Sequence, residues 1–65
     1  MNWDRIKGEW TEMKGKLRAE YGELTDDELE ETRGEKEQVL GLIQQKYGKT
    51  KDDVEKEIDK FFAEN

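Results

Sequence analysis

Sixty-five residues make one small domain, and a chain this short buries only about 60% of the surface its unfolded form exposes. Charged residues are 46% of it and hydrophobic ones 31%, close to a disordered composition, and the net charge of −6 opposes the phosphate neutralisation that nucleic-acid binding needs. With no Cys, His, Ser or Pro, the chain lacks disulfides, thiolate metal ligands, the usual general base and the commonest nucleophiles, and holds no helix breaker.

The few apolar residues are large and periodic. Trp3, Ile6, Trp10, Met13, Leu17 and Tyr21 step by three or four, the stripe of an amphipathic helix. Asn2 can cap its start and Gly22 stands where a left-handed residue closes a helix, so the first helix is expected over residues 3–21. Thr25, followed by Asp26, Asp27 and Glu28, forms a capping box with acids at the positive helix end, and Leu24 and Leu29 flank it as a hydrophobic staple. The second helix, over residues 26–33, has Leu29 as its one large apolar residue and is expected to pack weakly. Val39, Leu40, Ile43 and Tyr47 give a third helix over residues 35–47, ended by Gly48. Thr50, with Asp52 and Asp53 behind it, starts a fourth over residues 51–63, which presents Val54, Ile58, Phe61 and Phe62. Connections this short force sequential helices into hairpins.

All six glycines obey one rule. Gly8, Gly15 and Gly22 are seven apart, as are Gly34, Gly41 and Gly48, and the second trio repeats the first at an offset of 26. Met13 and Val39, Leu17 and Ile43, and Tyr21 and Tyr47 keep the same offset. The expectation is an all-α domain over residues 1–65: four short helices in two hairpins, about 3–33 and 35–63, related by an internal pseudo-repeat. Positions seven apart drift by only about 20° around a helix, so Gly8 and Gly15 share a face opposite the apolar stripe, and Gly34 and Gly41 are expected to do the same. Each interior glycine costs up to about 1 kcal/mol relative to alanine. Either these backs are simply solvated, or their bare backbone admits a partner.

Thr25 and Thr50 read as caps, and the Asp26–Glu28 and Asp52-Asp53 acids as helix starts, since neither has the alternating ligands and Gly turn of a calcium loop. Tyr21 and Tyr47 read as core-edge rings with wet hydroxyls. No catalytic, cofactor-binding or metal site is expected, and no cofactor. The one basic stretch lies on the first helix, and the candidate partner surface is Trp3, Lys7, Gly8, Thr11, Lys14, Gly15, Lys16 and Arg18. A monomer with at most weak protein contacts is expected. The polar N-terminus has no signal-peptide core, and no run reaches the roughly 20 apolar residues of a membrane span, so the cytoplasm is the expected location.

The strings Gly8-Glu9-Trp10, Lys14-Gly15-Lys16, Tyr21-Gly22 and Leu24-Thr25-Asp26-Asp27, continued by Gly34, Gly41, Ile43-Gln44 and Tyr47-Gly48, resemble the CsbD-like family of small bacterial general stress response proteins. The resemblance implies two helical hairpins packed crosswise and a cytoplasmic bacterial protein induced by stress. It supplies no reaction, cofactor or partner. Tyr21 departs from a frequent Trp of the family and Leu42 from a common basic residue. The expected role is a non-enzymatic, hydrophilic protectant. The alternative is an interaction module that binds a protein or nucleic acid through the first helix.

Overall fold

The computed structural model of the chain describes residues 3–62, which form five helical segments and no strand. They are α1 (Trp3–Gly8), α2 (Trp10–Glu20), α3 (Asp26–Thr32), α4 (Lys36–Tyr47) and α5 (Lys51–Phe61). The all-α class follows the periodicity, with one change. The single first helix is divided at Glu9, whose φ of −113° and ψ of 40° leave the helical region. Backbone bonding continues through the kink: the Glu9 N–H donates to the Arg5 carbonyl at 3.0 Å and the Met13 N–H to that of Glu9 at 2.9 Å. The bend falls beside Gly8, where no side chain resists it.

The helix starts are those the threonines encode. The Thr25 hydroxyl accepts from the Glu28 N–H at 3.1 Å while the Glu28 carboxylate accepts from the Thr25 N–H at 3.1 Å, a complete capping box. Thr50 accepts from the Asp53 N–H at 3.1 Å. The Asn2 cap lies outside the described residues.

The helix ends differ in part. Gly48, at φ 66°, closes α4 as expected. Gly22 is not left-handed: α2 is closed by Tyr21, whose N–H bonds the Leu17 carbonyl at 2.7 Å. The chain then turns with the Leu24 N–H on the Tyr21 carbonyl at 3.0 Å. That turn places Leu24 in the core without a positive φ at Gly22.

The core draws one face from every segment: Ile6, Met13 and Leu17, then Leu29, then Val39, Leu40 and Ile43, then Val54 and Ile58, with Tyr21 and Leu24 from the connection. Each fully buried Leu or Ile contributes about 1.5–3 kcal/mol of transfer free energy before entropy is counted. Leu29 is fully buried in the same core cluster as Leu24, so α3 is anchored more firmly than a lone apolar residue suggests. Trp3, Trp10, Leu42, Tyr47 and Phe62 line the core margin, whereas Phe61 is 36% exposed with its ring edge-on to Tyr21 at 5.8 Å. The repeat-related rings of Tyr21 and Tyr47 meet at 5.3 Å, so equivalent helix ends converge on one place.

The glycines divide. Gly8, Gly15 and Gly41 are exposed, with nothing within 4 Å of where a Cβ would stand. Gly34 is the exception and corrects the expectation that it lies on a solvated back. It is buried, outside any helix, at φ 74°, and its Cβ would stand 3.3 Å from Lys7 Cγ and 3.4 Å from the Trp10 ring.

Candidate interaction surface

The eight candidate residues divide by what the fold asks of them. Trp3 is half-buried and its indole N–H donates to the Gly34 carbonyl at 2.6 Å. Lys7 pairs with Glu35 at 2.6 Å, so α1 is fastened to the α3–α4 corner by two bonds. The Lys14 side chain, only 12% exposed, reaches Glu30 at 2.5 Å and Asp26 at 3.1 Å. Those carboxylates, Glu30 first, hold its ammonium pKa above the ordinary lysine value. Lys14 therefore joins α2 to α3 and is not offered to solvent.

The remaining five are exposed. Gly8, Thr11 and Gly15 form a bare strip along α1 and α2. Lys16 sits 3.6 Å from Glu12 and 6.0 Å above the Phe62 ring, and Arg18 stands 4.0 Å from Asp26. Exposed pairs of this kind contribute about 0–1 kcal/mol each, so both cations keep most of their freedom. Beside them is an open groove of about 400 Å³ lined by Lys7, Gly8, Glu9, Trp10, Thr11 and Glu12. Glu9, Trp10 and Glu12 belong to this groove but not to the sequence-derived set. Trp10 read only as core because its spacing fits the apolar stripe, yet its indole nitrogen is buried with no hydrogen-bond partner among the described residues.

A second open groove, about 390 Å³, runs between α3 and α4 along Glu28, Glu31, Thr32, Glu37, Gln38, Gly41, Leu42 and Gln45. The signal for it in the sequence was Leu42, which lies off the main stripe of α4, combined with the bare Gly41. Leu42 is half-buried against the core margin and thus widens the apolar face.

Elsewhere, charges bind the segments together. Lys46 pairs with Glu28 at 2.7 Å and donates to the Glu23 carbonyl at 3.3 Å. Lys46 is the main cause of the lowered Glu28 pKa. Lys36 meets Glu55 at 3.0 Å, and Lys51 meets Glu37 at 2.8 Å. Glu37 in turn raises the Lys51 pKa. Glu57 bonds Lys49 and accepts from the Tyr21 hydroxyl at 2.7 Å. Lys49, then Tyr21, hold the Glu57 carboxyl below the ordinary glutamate value. Burial, aided by Glu57, pushes the Tyr21 phenol well above its usual value. The Tyr47 hydroxyl accepts from the Glu23 N–H at 2.9 Å. Neither hydroxyl is simply wet, as their place at the stripe ends suggested: each ties one half of the chain to the other. Among the described residues no group of three or more carboxylates is arranged to hold a metal, and no helix is long and apolar enough to cross a membrane.

These features define a class: a small, charge-laced, all-helical domain built on an internal repeat. The sequence profile of the CsbD-like family matches residues 4–56, and the chain belongs to that family of small bacterial proteins. A UPF0337 protein of Bordetella pertussis is 49% identical over 65 residues, covering 100% of this chain and 98% of its own. A UPF0337 protein of Rhodopseudomonas palustris is 46% identical over 63 residues, covering 97% of this chain and 96% of its own. The UPF0337 protein YjbJ of Escherichia coli is 43% identical over 59 residues, covering 91% and 86%. These names assign no activity. No solved structure matches the chain.

Proposed function

We propose that the chain is a non-enzymatic, stress-associated protein of the bacterial cytoplasm that acts as a hydrophilic protectant. The observation that carries this reading is the placement of Gly8, Gly15 and Gly41: each faces open space and supports no packing. Gly15 and Gly41, interior to α2 and α4, each subtract up to about 1 kcal/mol from a domain whose total stability is of the order of 5 kcal/mol. The surface meanwhile is dense in lysines and carboxylates, with a mean hydropathy of −1.30. Such a chain stays hydrated and soluble whether folded or melted. As water is withdrawn, its charged side chains can take over hydrogen bonds at the surfaces of neighbouring proteins and hold those surfaces apart. The test is recovery of a drying-sensitive enzyme in the presence of this chain, compared with an equal mass of an inert globular protein. Protection above that control supports the proposal, and parity with it removes the proposal.

The alternative is an interaction module. It is favoured by the groove beside Thr11, where a bare backbone strip adjoins the exposed cations Lys16 and Arg18. A pull-down from stressed cells, repeated with Lys16→Glu and Arg18→Glu together, separates the readings. Lys14 is left unchanged in that test because its loss would disturb the α2–α3 contact itself. Capture that the double variant abolishes supports the module, and equal capture argues against it.

A further inference from the structure

The corner between α3 and α4 is three residues long, Arg33, Gly34 and Glu35, and it holds the sharpest backbone features among the described residues. Arg33 is left-handed at φ 54°, and Gly34 follows at φ 74°. For glycine this conformation is free, but an L side chain disfavours it. Gly34 favours a helix end here, but Arg and Glu are good helix formers and no proline intervenes, so a straight path is open at about 1 kcal/mol for the glycine. If residues 33–35 took helical angles, α3 and α4 would run on as one helix over residues 26–47.

The corner is held from outside. Trp3 donates to the Gly34 carbonyl at 2.6 Å, Lys7 pairs with Glu35 at 2.6 Å, and the rings of Trp10 and the stem of Lys7 cover Gly34. From within, the Thr32 hydroxyl accepts from the Gly34 N–H at 3.2 Å and donates to the Leu29 carbonyl at 2.6 Å. Other bonds that join the two halves each run through at least one side chain: Lys46 to the Glu28 carboxylate and the Glu23 carbonyl, Tyr21 to Glu57, and the Glu23 N–H to the Tyr47 hydroxyl. None of them requires both partners to come from the same chain.

We infer that residues 33–35 are a hinge, held bent by α1, through which two copies of this chain exchange their halves. When the hinge straightens, residues 36–62 of one copy pack against residues 3–32 of the other and remake the same core and pairs. Only the corner differs between the closed monomer and the exchanged dimer, so its strain and the protein concentration set the balance. The partner is a second copy, because the surface that each half needs is the one the other half already presents.

The test uses the full chain. Isotope-labelled and unlabelled protein are unfolded together, refolded at millimolar concentration, sized by light scattering, and joined with a zero-length carbodiimide cross-linker. The wild type is expected to give a separable dimer in which Glu28 of one isotope is joined to Lys46 of the other. Arg33→Gly relaxes the corner without adding an atom. At the low end of the left-handed penalty this is a factor of roughly 5 per corner, and two corners straighten per dimer, so the dimerisation constant should fall roughly 30-fold. Gly34→Ala forces a side chain into a left-handed, enclosed position and should raise the constant by at least a similar factor. If that variant fails to fold, the comparison of Arg33→Gly with the wild type still decides. A wild type that stays monomeric, a dimer that Arg33→Gly does not weaken, or Glu28–Lys46 cross-links confined to single chains would each overturn the inference.

Discussion

Replacing Gly15 and Gly41 by alanine should stabilise the domain. Both lie inside helices, in α2 and α4, and both are exposed, with nothing within 4 Å of the added methyl beyond the adjoining residues and backbone of their own helix. The change therefore creates no clash and buries nothing; it acts through backbone entropy alone. An interior Gly→Ala exchange contributes about 0.8–1.0 kcal/mol, and sites on separate helices with no shared neighbours add, so the pair gives about 1.6–2.0 kcal/mol. In a domain of this size each kcal/mol moves Tm by about 4–8 °C, so the double variant should melt roughly 6–16 °C higher. Thermal and urea unfolding followed by far-UV circular dichroism measure this, with an unchanged m value as the check that the unfolded state is the same. A neutral or destabilising result would refute the reasoning, because it would mean that these backs meet something the fold does not show.

The left-handed glycines should respond in the opposite sense. Gly48→Ala, at φ 66° in open space, should cost about 1 kcal/mol in urea unfolding, the penalty of the conformation alone. Thr25→Ala removes the hydroxyl that accepts from the Glu28 N–H, while the backbone half of the capping box stays, and should cost about 0.5–2 kcal/mol, read as a lower urea midpoint. Acid should destabilise the fold through Glu57, whose folded pKa is lowered by Lys49 and Tyr21 from the ordinary 4.5. A depressed carboxylate stabilises above its unfolded pKa and loses that contribution as pH falls through the folded value, so stability should decline below about pH 4.5, and Glu57→Gln should flatten the decline. Alkali acts on Tyr21, whose phenol pKa is raised by burial. Its contribution is complete below the ordinary tyrosine pKa of about 10 and disappears as pH rises above it, so tyrosinate absorbance from Tyr21 should emerge together with the loss of helical dichroism.

Much of this fold can be read from local signals. Thr25 and Thr50 fix two helix starts through bonds only three residues long, and Gly48 fixes an end through its own φ. The stripes of Met13, Leu17, Val39, Ile43, Val54 and Ile58 are all buried, because a helical period leaves no other face to bury. Gly34 was misplaced for a different reason. The repeat with Gly8 suggested an equivalent position, but the equivalence stops at the corner, where α1 has no counterpart in the second half and closes over the glycine. The roles of Lys7, Lys14, Tyr21 and Tyr47 escaped the sequence in the same way: their partners are 12 or more residues away, and composition does not encode which charge meets which. In the candidate surface, the exposed strip of Gly8, Thr11 and Gly15 was legible from the wheel, whereas the inward turn of Lys14 depended on how α3 lies against α2.

Both tryptophans of the chain touch a single glycine: Trp3 through its indole N–H, Trp10 through its ring. Intrinsic emission therefore reports on one bend of the backbone, while the far-UV signal averages over every helix. A change in indole colour or quenching without any loss of ellipticity would reveal motion at that spot in the untouched molecule, with no dye attached.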